Sequence, residues 1–128
     1  GDLRIVSYNV LGLDGTPQAT VGQVLQAIGN ETYNGRSRRP DVVTIQEVRN
    51  QATTSQAVVN QLNAIYGANA YARGNINGTS LSLNETVGLV YNTQTISLIN
   101  EVAIGTPSSS GAARQSMRYQ LRPLELPA

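Results

Sequence analysis

Two periodicities divide the chain. In LRIVSYNV (Leu3 to Val10) apolar and β-branched residues crowd a short run that reads as a strand, and the Gly- and Pro-bearing LGLDGTPQ behind it reads as a loop. From Thr20 the spacing changes. Val21, Val24, Leu25 and Ile28 recur at i, i+3, i+4 and i+7, which predicts an amphipathic helix. The polar NETYNGRSRRP (Asn30 to Pro40) carries an Asn-Gly turn signal and connects to a second strand over Val42 to Gln46 or slightly beyond. A second helix follows, with Thr54 or Ser55 as its cap, Val58, Leu62, Ile65 and Tyr66 as its apolar stripe, and Gly67 as its stop. The remainder reads as strands at Ala70 to Arg73, Thr86 to Asn92, Ile96 to Val102 and Arg114 to Arg122, separated by Gly-, Asn-, Ser- and Pro-rich clusters.

The order is therefore β-α-β-α-β-β-β-β, an α/β or α+β layered domain spanning residues 1–128. In LRIVSYNV both alternating sets, Leu3/Ile5 and Val6/Tyr8/Val10, are largely apolar. VVTIQEV likewise sets Val43 and Ile45 on one side and Val42 and Val48 on the other. Such strands want cover on both faces. Two helices cover one face only, so the chain reads as half of a larger arrangement.

Composition narrows the chemistry. With no Cys among 128 residues, disulfides, zinc-thiolate sites and cysteine nucleophiles are excluded. With no His, a Ser-His-Asp triad cannot be assembled from this chain alone. The net charge of +1 gives no global field that favours nucleic acid or an anionic membrane, and no apolar run is long enough for a membrane span. All nine basic residues are Arg. The start at Gly1-Asp2 reads as a processed or recombinant product of a longer gene, and with the wealth of Asn, Thr, Ser and Gln it suits an extracellular or periplasmic hydrolase.

Asn9 and Glu47 stand at the C-terminal ends of the first two predicted strands, where open α/β layers gather ligands. A carboxylate beside an amide oxygen is hard-donor chemistry suited to Mg²⁺ or Mn²⁺. The plain alternative is that Asn9 bonds backbone at a turn and Glu47 is solvated. Arg114, Arg118 and Arg122 fall on one face of the last strand, opposite Met117, Tyr119 and Leu121, as either a phosphate-contacting or a solvated face. The Arg36/Arg38/Arg39 cluster reads as loop surface.

SYNVLG followed, after one helix, by PDVVTIQEV resembles the endonuclease/exonuclease/phosphatase superfamily, the deoxyribonuclease I-like fold. That resemblance implies one half of a four-layer α/β sandwich. It implies Glu47 as the principal Mg²⁺ (or Mn²⁺) ligand and Asn9 as a catalytic residue that helps hold the metal site. NETVGLVYN is similar to the family's next strand, which implies that Glu85, six residues before Tyr91, orients a catalytic His. Asn92 departs from the family's usual Arg or Lys there. ARQSMRYQL is similar to the family's R-x-P strand and implies phosphate binding by Arg114, with Ser116 where Pro is common.

The family completes its site with a His-bearing strand, an Asp-x-Asn pair and a C-terminal Asp and His, all beyond that strand. The resemblance thus covers the N-terminal half of the family domain and implies a phosphodiesterase or nuclease that is inactive as this fragment. Its partners would be nucleic acid or another phosphodiester substrate and a complementing C-terminal half. The competing readings are a non-catalytic interaction module, completing its sheet as a dimer, and a phosphomonoesterase or sphingomyelinase-like hydrolase.

Overall fold

The computed structural model describes residues 2–10, 15–79, 86–106 and 115–124. They form a mixed α/β arrangement with two sheets and two α-helices. In chain order these are β1 (Ile5–Asn9), α1 (Val21–Asn30), β2 (Val42–Val48), α2 (Gln56–Tyr66), β3 (Tyr71–Arg73), β4 (Thr86–Asn92), β5 (Ile96–Ile104) and β6 (Ser116–Pro123). Four strands make one sheet in the order β1-β2-β4-β3, and β5 and β6 pair antiparallel as a separate ribbon. Strand β1 runs parallel to β2, as the intervening helix requires, with Ile5 opposite Val42 and Asn9 opposite Gln46. Strand β4 is antiparallel to both β2 and β3.

Most of each predicted stripe faces the sheet, whereas Val24 of α1 is exposed and Ile65 and Tyr66 of α2 are half-buried. Val21 and Leu25 of α1 and Val58, Val59 and Leu62 of α2 are buried with Val43, Ile45, Val48, Val90 and Tyr71 in the larger core. The two helices approach closely at Gly22, whose N–H donates to Gln61 Oε1 at 2.7 Å, and where a Cβ would stand 2.8 Å from Gln61 Cβ. A side chain there would push the helices apart.

The start of the second helix differs from the expectation. A π-helical turn, Gln51–Ser55, precedes α2, and its cap is Asn50, whose Oδ1 accepts from Thr53 N–H at 2.8 Å. Thr54 and Ser55 are not caps because tertiary bonds claim their hydroxyls. Thr54 Oγ1 donates to the Gly15 carbonyl at 2.7 Å, and Ser55 Oγ donates to Gln51 Oε1.

The opposite face of the sheet is only partly open. The ribbon lies across it, so that Val42, Leu89 and Ile96 form a second core with Tyr91, Leu98, Tyr119 and Leu121. The chain therefore supplies its own third layer over β2 and β4, cover for the second face that the two helices alone do not give. Gln51 Nε2 donates to the Tyr119 hydroxyl at 3.2 Å and ties the ribbon to the π-helical turn. Burial of that phenol, only partly offset by the bond from Gln51, pushes its pKa up to about 12. Edge strand β1 lies beyond the ribbon's cover: Ile5, Ser7 and Asn9 are all exposed, Ile5 by 66%.

The Arg-rich loop is not plain surface. Arg38 grips the wholly buried Asp41 through Nε at 2.7 Å and a second nitrogen at 2.9 Å, a bidentate pair. Arg39 stacks its guanidinium over Tyr66 and Tyr71 and donates to Gln94 at 2.7 Å. Arg4 closes the end of α1, donating to the carbonyls of Ile28, Gly29 and Glu31 at 2.9, 2.9 and 3.0 Å, which satisfies acceptors that a helix terminus leaves unpaired.

Candidate metal centre

The apolar run Val42–Ile45 reaches a carboxylate without burying it because the strand slips by one residue. Gln46 pairs with Val87 and Val48 pairs with Thr86, leaving Glu47 as the extra residue of a β-bulge. Its φ is +58°, left-handed backbone that a non-Gly residue seldom adopts. The slip changes which face each side chain meets. Unbroken alternation would put Val48 with Val42, as the sequence pattern suggests. Instead Val48 returns to the helix-side core beside Val43 and Ile45, and Glu47 is extruded between the two faces.

Such a conformation persists only where the surroundings over-determine it. Here the peptide on the far side of Glu47 is held at two points. Thr86 Oγ1 donates to the Val48 carbonyl at 2.6 Å, and Arg49 N–H donates to Thr54 Oγ1 at 3.1 Å. Before the bulge, Val10 N–H donates to the Gln46 carbonyl at 3.3 Å, fastening the exit of β1 to β2.

The consequence is a cleft of about 560 Å³ at the C-terminal ends of β1 and β2. Asn9, Gln46 and Glu47 make its sheet side. Thr86 and Val87 of β4 and the Gln115–Met117 segment entering β6 make the remaining wall. The two residues at adjacent strand ends that the sequence singles out, Asn9 and Glu47, are thus brought together. Glu85 and Arg114 lie outside the described residues. Sequence reasoning missed the ribbon's wall, Met117 above all, because no periodicity tells where a hairpin docks. Arg118 and Arg122 occupy the exposed face of β6, away from the half-buried Met117, Tyr119 and Leu121.

Comparison with protein-family models, with curated proteins and with solved structures yields no match. The chemistry of the cleft must be read from its own atoms.

Glu47 is half-buried, and among the described residues no ion pair or hydrogen bond engages its carboxylate. A partly desolvated carboxylate without a donor is stabilised by a cation. The oxygens near it are of the hard type, one carboxylate and the side-chain amides of Asn9 and Gln46. That donor set fits Mg²⁺ or Mn²⁺, which take one or two carboxylates and keep several waters, and it does not fit zinc or copper. Among the described residues no group of three or more His, Cys, Asp and Glu gathers anywhere, so the site offers a single negative ligand.

The other buried acid, Asp41, is occupied. Besides Arg38 it accepts from Arg4 N–H at 2.8 Å and from Thr95 Oγ1 at 2.6 Å. Burial pushes its pKa up, but the bonds from Arg38, Thr95 and Arg4 outweigh burial and hold it below the ordinary carboxylate value. It is a structural anion, and among the described residues Glu47 is the carboxylate left for a ligand in this cleft.

Proposed function

We propose that this chain carries the cation-binding portion of a metal-dependent phosphoester hydrolase of the deoxyribonuclease I-like kind, a phosphodiesterase or nuclease in its complete form. The observation that carries the reading is the left-handed, extruded Glu47, whose unpaired carboxylate shares a cleft with Asn9 and Gln46. Strain of this sort, maintained by Thr86 and Thr54, is the pattern expected where function and not packing selects the residue.

In this reading Glu47 and the amide oxygen of Asn9 would hold Mg²⁺ or Mn²⁺ where the substrate phosphate binds. The chemistry such an ion supplies is Lewis-acid polarisation of the phosphoryl oxygen and compensation of charge on the leaving oxygen. Asn9 also orients the phosphate or a water by hydrogen bonding, opposite a wall that includes Met117 and Val87. Orientation of a catalytic His by Glu85 and phosphate contact by Arg114 belong to the same proposal, on the strength of the motif resemblance alone. Because the chain has no His, the histidine base that the resemblance implies would come from elsewhere.

The purified chain is therefore expected to bind Mn²⁺ through Glu47 and to leave plasmid DNA and bis-p-nitrophenyl phosphate uncut in Mg²⁺. Mg²⁺-dependent cleavage abolished by Glu47→Ala would overturn the division of labour. Absence of any Mn²⁺ binding that depends on Glu47 would overturn the reading as a whole.

One observation favours a second reading, a non-catalytic module that assembles through its sheet. Strand β1 is an edge with Ile5 exposed by 66%, and its residues Ile5–Asn9 include no Pro, Lys or bulge to discourage pairing. Under that reading sedimentation velocity finds a dimer that Ile5→Lys converts to monomer. A monomer at all concentrations removes it.

A further inference from the structure

The Gln46 amide is held in one orientation by two groups that lie behind it. Its Nε2 donates to Ser7 Oγ at 3.0 Å and reaches the Thr44 carbonyl at 3.4 Å. A main-chain carbonyl cannot donate, so the nitrogen must be the amide atom on that side, and the Oε1 position follows without ambiguity. Ser7 and Thr44 lie two residues before Asn9 and Gln46, and the two pairs stand opposite one another in the β1–β2 register. Gln46 lines the cleft beside Glu47 and Asn9, and with its nitrogen engaged by Ser7 and Thr44 the carbonyl oxygen is the amide atom left for a ligand there. Among the described residues no donor reaches that oxygen.

We infer that Gln46 Oε1 is a neutral ligand in the Glu47 cation site, and that Ser7 is the positioning residue that aims it. The inference rests on the proposed reading of Glu47 and adds a donor and its orienting partner on the neighbouring strand. The physical logic is that of the outer shell of metal sites, where a hydrogen bond to the far end of a ligand fixes its rotamer before the ion arrives. An amide free to rotate would present nitrogen as often as oxygen. The Thr44 carbonyl, an acceptor only, selects the nitrogen for that side, and the shorter bond to exposed Ser7 holds it there.

The test is Mn²⁺ binding followed by electron paramagnetic resonance of the free ion. Gln46→Ala and Ser7→Ala are each expected to weaken Mn²⁺ binding about 10-fold or more, in the range known for outer-shell and neutral partners. Ser7→Thr, which keeps the hydroxyl, is expected to bind like the parent protein. Gln46→Glu, which keeps the oxygen and adds charge, is expected to bind more tightly, a gain that no merely structural role produces. Thermal melts accompany each variant, and Ser7→Ala, an exposed truncation, remains informative if a Gln46 variant unfolds. Parent-like affinity in Ser7→Ala or Gln46→Ala, with binding still lost in Glu47→Gln, overturns this inference and leaves the Glu47 reading standing. No Glu47-dependent binding in the parent protein overturns both.

Discussion

Asp41→Ala is expected to destabilise the fold by about 3–5 kcal/mol, the usual cost of breaking a buried ion pair from one side. The carboxylate accepts from Arg38 twice, from Arg4 N–H and from Thr95, so its loss strands four donors at the junction of β1, β2 and the β4–β5 turn. Urea unfolding should show a reduced midpoint at unchanged slope, and the melting temperature should fall on the order of 10–20 °C. The same group sets an acid limit. Its folded pKa lies below the ordinary 3.8, so its contribution is fully present above that value and is lost as pH falls through the lower, folded one. Unfolding midpoints measured from about pH 5 downward should drop for the parent protein, and less so for Asp41→Asn, which has no carboxylate to protonate at that position. Equal acid sensitivity of the two would mean that other carboxylates govern the transition.

Glu47→Gly is expected to act in two opposed directions. Relief of left-handed backbone is worth about 1–2 kcal/mol, against about 0.5–1 kcal/mol of added chain entropy in the unfolded state, so the variant should be as stable as the parent or up to about 1.5 kcal/mol more stable. The same change removes the only carboxylate that the described residues place in the cleft, and Mn²⁺ binding should weaken by more than about 100-fold, since even outer-shell losses cost about 10–100-fold. Chemical denaturation and Mn²⁺ titration on one sample decide both. A clear loss of stability would show that Glu47 is held for structural reasons, and the functional reading of the bulge would fail with it.

Much of the architecture could be read from spacing alone. The stripes Val21/Leu25 and Val58/Leu62 face the core as their i, i+4 spacing requires, because an amphipathic helix on a sheet has one way to bury its apolar side. The strands at Tyr71–Arg73 and Thr86–Asn92 follow for the same local reason. What could not be read depended on which partners the folded chain brings to a side chain, whether near or distant in sequence. The bulge at Glu47 breaks a period-2 pattern by one residue, and alternation by itself assigns Val48 to the wrong side. Thr54 and Ser55 look like caps until Gly15 and Gln51 take their hydroxyls. Arg38 looks like surface until Asp41, three residues on, proves to be buried beneath it. In the candidate site, Asn9 and Glu47 are legible as polar residues ending apolar strands, whereas Met117 enters only because the ribbon folds back across β2 and β4.

The bulge also bears on how such a site could arise and be lost. With Glu47 taken out, Gln46 would run directly into Val48, and the strand from Val42 onward would alternate without a break, every core contact in its present place. The acidic residue is thus the equivalent of one inserted codon in an otherwise ordinary strand. An ancestor lacking it would already have the fold, and a descendant that deleted it would keep the fold. The carboxylate and the scaffold are therefore separable, with Thr86 and Thr54 as the two side chains that hold the extra residue in place.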